Sequence, residues 1–139
     1  MHEVVIAVDP GRQKCGIAVA DRNGMLMKRV IETTCLTEVI QELLPRFSAG
    51  TILVGDRTSH HAAVSTIRAA LPKEPSISIQ LVDEHKSTEE ARRRYWVDHP
   101  PRGLARLWPV SLRVPPVPVD DYVAVILAER YFAAKKPMK

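Results

Sequence analysis

Hydrophobic and polar positions alternate between two periods along this chain, and the change of period marks its organisation. Val4–Val8 is an unbroken apolar run, as expected of a strand buried on both faces. It stops at the turn Asp9-Pro10-Gly11. Cys15–Ala20 is a second apolar run, and Asp21-Arg22-Asn23-Gly24 is a hairpin signal leading into a third strand, Met25–Ile31. Short turns between three strands predict an antiparallel meander. The period then lengthens. Leu36, Val39, Ile40, Leu43 and Leu44 share one face of a helix over Leu36–Phe47. Thr51–Val54 reads as a fourth strand, Ser59–Leu71 as a helix halted by Pro72, and Ile77–Val82 as a fifth strand. Ser87–Val97 predicts a third helix, with Ser87 and Glu90 spaced as a capping box. Pro118–Ala134 predicts the last, with Pro118 suited to its first position.

The order is β-β-β-α-β-α-β-α-loop-α. It predicts an α/β fold with a five-stranded mixed sheet: an antiparallel meander plus two strands parallel to the first, flanked by helices. The length of 139 residues fits one domain spanning 1–139. Asp98–Pro118 breaks the pattern. It carries six of the eleven prolines, and so long a stretch without a period points to a functional loop or a segment pinned across the surface.

Composition narrows the setting. Apolar residues make up 45% and charged residues 26%, as in ordinary soluble domains. Cys15 and Cys35 sit in no metal or disulfide pattern and read as reduced thiols. With no leader-like start and no apolar run of about 18 residues, a cytoplasmic protein without membrane attachment is expected. The net charge is +4, but Ala91–Val117 alone holds six arginines against one aspartate, a net of +5. Arginine suits bidentate phosphate contacts and base stacking. Arg92, Arg102, Arg106 and Arg113 are candidate nucleic-acid contacts, with Trp108 placed to stack on a base or to pin the loop.

Ligands in such sheets collect beyond the carboxyl ends of the parallel strands. Those ends are Asp9, Gly55 and Asp83-Glu84, and Asp120-Asp121 opens the last helix. Each acid alone has an ordinary reading, as a turn former, an end-of-strand residue or a partner of the helix dipole. Together they predict carboxylates gathered around a divalent ion, Mg²⁺ or Mn²⁺, for phosphodiester cleavage. His60-His61 lacks a third ligand at zinc spacing. No serine sits in a nucleophile elbow.

Three stretches resemble motifs of the YqgF family, also called RuvX, relatives of the Holliday-junction resolvase RuvC. Ile6-Ala7-Val8-Asp9-Pro10-Gly11 with Lys14, Gly16, Ile17, Ala18 and Val19 is similar to the family's opening Asp-x-Gly motif. Asp83–Ala91 is similar to its Asp-Glu-Arg-Leu-Thr-Thr-x-x-Ala motif, and Val119–Leu127 to its closing Asp-x-x-Ala-Ala helix. By that register Asp120, rather than Asp121, holds the acidic position. The departures are Gln13-Lys14 for a basic pair, Gly55-Asp56-Arg57 for Gly-Leu-Pro, and His85 for arginine. The resemblance implies an RNase H-like fold with Asp9, Glu84 and Asp120 as catalytic and metal-binding acids. Lys14, His85 and Lys86 join the candidate nucleic-acid contacts. It also implies a nuclease acting in ribosomal RNA precursor processing, with RNA preferred over DNA, ribosomal precursor particles as partners, and a monomer or weak dimer. Two alternatives are a Holliday-junction resolvase-like DNA endonuclease and a non-catalytic nucleic-acid-binding module of the same fold. A sugar-kinase-like ATPase would need a second domain.

Overall fold

A computed structural model describes residues 3–56, 60–74, 76–100 and 118–134. Five strands form one mixed sheet: β1 Val5–Asp9, β2 Lys14–Asp21, β3 Gly24–Glu32, β4 Thr51–Gly55 and β5 Ser78–Val82. They lie in the order β3-β2-β1-β4-β5. The meander β1-β2-β3 is antiparallel, and β4 runs parallel to both β1 and β5. Among the described residues four α-helices cover the sheet: α1 Leu36–Phe47, α2 His60–Ala70, α3 Ser87–Asp98 and α4 Asp120–Ala134. This is the α/β architecture that the periods predict.

Strand alternation divides the core in two. Ile6, Val8, Ile17, Val19, Ile52 and Val54 face one side and pack on Leu36, Ile40, Leu43 and Ile67 of α1 and α2. Val5, Ala7, Ala18, Ala20 and Leu53 face the other and pack on α3 and α4. The second face is lined with small residues, so α4 can lie close to the backbone. That helix is buried on several sides, through Tyr122, Val123, Ala124, Ile126, Leu127, Ala128 and Tyr131.

Two helix starts differ from expectation. Pro118 and Val119 precede α4, which begins at Asp120, and the Val119 carbonyl accepts the first helical bond from the Val123 N–H at 3.0 Å. At α3 the capping box does not form. Lys86 takes the cap position in the left-handed region, with φ of 58°, and Ser87 lies inside the helix, fully buried. Glu90 is drawn away by charge, its carboxylate 2.8 Å from Arg94 and 3.8 Å from Arg130. Both cysteines are free thiols, Cys15 buried and Cys35 half-buried. Among the described residues no helix is long and apolar enough to cross a membrane.

Candidate functional site

Alternation along β1 sends Asp9 to the same side as Val5 and Ala7, toward α4. It is buried, with 5% of its surface exposed. The chain must turn sharply behind it. Gly11 permits this, because a Cβ there would overlap the Lys14 carbonyl. Thr33 fastens the turn from outside: its N–H donates to the Gln13 carbonyl at 2.8 Å and its hydroxyl to the Gly11 carbonyl at 2.9 Å.

Two glycines flank Asp9. Gly16 is its partner across the antiparallel ladder, and the Asp120 backbone carbonyl fills the space above Gly16 where a side chain would begin. On the other side, the parallel register of Val8 with Val54 continues to set Gly55 beside Asp9. The Glu84 carboxylate occupies the space over Gly55 in the same way. Adjacent strands are about 4.8 Å apart, so Asp9 and Glu84 are neighbours on one face. The row Asp120, Gly16, Asp9, Gly55, Glu84 crosses the carboxyl ends of β1 and β4 and the end of β5.

Glu84 is buried, with 3% of its surface exposed. Its N–H donates to Asp56 Oδ1 at 3.2 Å, and its carbonyl accepts the Ser87 N–H at 2.9 Å. Asp120 is half-buried at the N-terminus of α4, where the helix dipole favours an acid. Asp121 is turned elsewhere: its Oδ2 pairs with Lys28 Nζ at 3.0 Å, and that ammonium also lies 4.3 Å from the Tyr122 ring centroid. The two adjacent acids therefore have different surroundings.

The donors in this row are all carboxylate oxygens, the type Mg²⁺ and Mn²⁺ accept. Among the described residues no three His, Cys, Asp or Glu side chains stand close enough together to hold an ion. Mg²⁺ does not need such a cage. It commonly takes one or two protein carboxylates and completes its shell with water and substrate phosphate. Asp9 and Glu84 fit that pattern, with Asp120 next in the row.

Of the candidate nucleic-acid contacts, Lys14, His85, Lys86 and Arg92 are exposed. Arg102, Arg106, Arg113 and Trp108 lie outside the described residues. The three consecutive arginines of α3 divide as helical geometry requires. Arg92 and Arg93 are exposed, while Arg94 donates to Glu129 at 2.7 Å and to Glu90 at 2.8 Å. Hydrogen bonding to Glu129 raises the Arg94 pKa above its ordinary value, so that charge is committed to joining α3 and α4. The His60 and His61 rings are neighbours, with centroids 4.0 Å apart and planes tilted by 37°.

Three further residues hold the site, and two of them, Thr33 and Arg130, carry no sequence signal. Thr33 and Asp56 act through backbone groups of other segments. Arg130, on the far part of α4, donates to the carbonyls of Asp83 and His85, each at 2.8 Å. Only the departure at Asp56 from the family's Gly-Leu-Pro draws attention to that position.

The strand order, the mixed directions and the helices on both faces define an RNase H-like fold. Solved structures agree. The chain is similar to T. thermophilus RuvC in complex with Holliday junction substrate, with a TM-score of 0.59 and 15% identity over 96% of each chain. A second Thermus thermophilus RuvC structure gives a TM-score of 0.55 and 15% identity, covering 95% of this chain and 96% of that one. No protein-family model and no curated protein matches the chain in sequence. At 15% identity the likeness is one of fold.

Proposed function

We propose that this chain is a divalent-metal-dependent nuclease, a single RNase H-like domain over 1–139 that hydrolyses phosphodiester bonds at the row of Asp9, Glu84 and Asp120. The observation that carries the reading is the pair of buried carboxylates, Asp9 and Glu84, held side by side next to the glycine at the end of β4. Burying two acids together is costly unless a cation or proton is shared between them. A bound Mg²⁺ or Mn²⁺ would supply charge neutralisation to the attacking and leaving oxygens of the phosphate. Asp9 and Glu84 would hold it, and Asp120 would complete or tune the site from α4. Lys14, His85, Lys86 and Arg92 would bind the flanking phosphates, joined by Arg102, Arg106 and Arg113.

The motif resemblance favours RNA, in ribosomal precursor particles in the cytoplasm, with the chain acting as a monomer or weak dimer. A second reading, cleavage of branched DNA, is favoured by the fold likeness to a RuvC bound to a Holliday junction. One assay separates the readings. Precursor ribosomal RNA, single strands, duplexes and four-way junctions are incubated with the chain and Mg²⁺ or Mn²⁺. Metal-dependent cleavage that Asp9→Asn and Glu84→Gln both abolish supports the proposal, and the preferred substrate decides between RNA and junction DNA. Binding without cleavage on every substrate leaves a non-catalytic module and overturns it.

A further inference from the structure

Asp120 opens α4, and Arg130 lies ten residues further along the same helix, about 15 Å by helical rise. The Arg130 guanidinium straddles Glu84. Nη1 donates to the carbonyl of Asp83 and Nη2 to the carbonyl of His85, both at 2.8 Å. The remaining polar groups of this short stretch are also held. In the peptide unit between Asp83 and Glu84, Arg130 takes the carbonyl and Asp56 takes the N–H. In the next unit the Glu84 carbonyl accepts from Ser87, and the His85 N–H donates to Asp83 Oδ1 at 2.9 Å. The backbone on both sides of Glu84 is thus held, and its carboxylate lies over Gly55.

An arginine is needed for this. Its planar fork offers two diverging donors at a set spacing, whereas a lysine presents a single mobile ammonium. The bonds are charge-assisted, and Arg130 also stands 3.8 Å from Glu90, which keeps the head group over the loop.

We infer that Arg130 is a positioning residue for Glu84, so that α4 serves the site twice: through Asp120 at its start and through the clamp on residues 83–85 further along. This rests on the reading of Glu84 as a working acid. In this role Arg130 acts through the backbone carbonyls of Asp83 and His85. Its loss leaves every carboxylate present, frees the backbone that aims one of them and removes the ion pair to Glu90.

The test uses the full chain as wild type, Arg130→Ala and Arg130→Lys. Amide hydrogen exchange is followed by NMR, Mn²⁺ affinity by calorimetry, and kcat and KM on whichever substrate the wild type cleaves. Arg130→Ala is expected to speed exchange at the Glu84 and His85 amides by about tenfold or more, while the strand amides of β1 and β4 stay protected. Mn²⁺ affinity and kcat should fall roughly 10- to 100-fold, the usual cost of losing a group that orients a ligand, with KM nearly unchanged. Arg130→Lys should fall between. Wild-type exchange and Mn²⁺ affinity in Arg130→Ala overturn the inference. So does a uniform loss of protection through α3 and α4, which would make Arg130 a docking residue only. A wild-type chain that binds no Mn²⁺ and cleaves nothing overturns the proposed function instead. Faster exchange confined to Glu84 and His85 then still supports the clamp.

Discussion

Glu84 and Gly55 share one space: the glutamate carboxylate lies where the first atom of a side chain on Gly55 would stand, with Oε1, Cδ and Cγ all in the way. Gly55 is therefore required by its neighbour. Gly50, just before the same strand, has open space where its Cβ would be and makes a natural control.

Gly55→Ala should expel the Glu84 carboxylate while sparing the sheet, because the obstructing atoms belong to a side chain. Nuclease activity and Mn²⁺ binding should drop at least as far as in Glu84→Gln, with the thermal midpoint changed little. Gly50→Ala should match the wild type in both. An active Gly55→Ala would show that Glu84 has no fixed role.

Gly16→Ala should behave differently, since its new methyl would meet the backbone of Asp120 and Asp121 rather than a movable tip. The helix must shift as a body. Overpacking of this kind costs about 1–3 kcal/mol and sometimes more. Urea unfolding should show that loss, and activity should fall with it as Asp120 moves.

Asp120→Asn and Asp121→Asn should separate. Asp121 is paired with Lys28, so its loss should cost modest stability and leave cleavage largely intact. Asp120→Asn should reduce cleavage sharply with little effect on unfolding. The reverse pattern, read in parallel kinetics and denaturation, would assign the working acid to Asp121.

The Tyr122 hydroxyl donates to Asp98 Oδ2 at 2.8 Å. Burial, then that hydrogen bond and the charge of Asp98, push the Tyr122 pKa upward from its ordinary value of 10.0. A raised folded-state pKa favours the protonated form. Its stabilising contribution is fully present below pH 10.0 and is lost as pH rises above it. Tyr122→Phe should be less stable than the wild type at neutral pH, and the gap should narrow in alkaline solution. Unfolding midpoints of both proteins across that range measure it.

Nucleic-acid affinity should divide the arginines of α3. Arg92→Ala and Arg93→Ala should each lower the slope of log affinity against log salt, by roughly 0.7 for every single-strand phosphate that is no longer neutralised. Arg94→Ala should leave the slope alone and weaken the α3–α4 packing, because its charge is already satisfied by Glu90 and Glu129. Equal slopes in all three variants would place the substrate elsewhere.

Much of the sheet was legible because its signals are local. The apolar run before Asp9, the Asn-Gly turn and the helical period of Leu36–Phe47 each depend on neighbours in sequence, and each element appears where the period puts it. Alternation along β5 sets Glu84 opposite Ile77, Ile79 and Leu81; the two isoleucines pack against the α1–α2 side, whereas Leu81 is exposed. Interactions between distant segments were not legible. Nothing near Arg130 in sequence tells that it holds the carbonyls of Asp83 and His85. Nothing near Thr33 tells that it fastens the turn behind Asp9. The capping box spacing of Ser87 and Glu90 is overridden by two charges, one local and one distant: Arg94, a turn further along the same helix, and Arg130 on α4 both pair with the glutamate.

The close seat of α4 on Gly16 has a consequence for how the molecule is made. β1 and β2 leave the ribosome early, carrying Asp9, whereas Asp120 and Arg130 belong to the last described helix. Strand pairing between β1 and β2 closes a short loop, but docking α4 on Gly16 closes one that runs from residue 16 to residue 120, an event penalised in rate and favoured only once the rest has formed. A nascent chain therefore carries an exposed, small-residue groove where α4 will lie and an acid row still lacking its last member. The row that begins at Glu84 and Asp9 gains Asp120 only once α4 is in place.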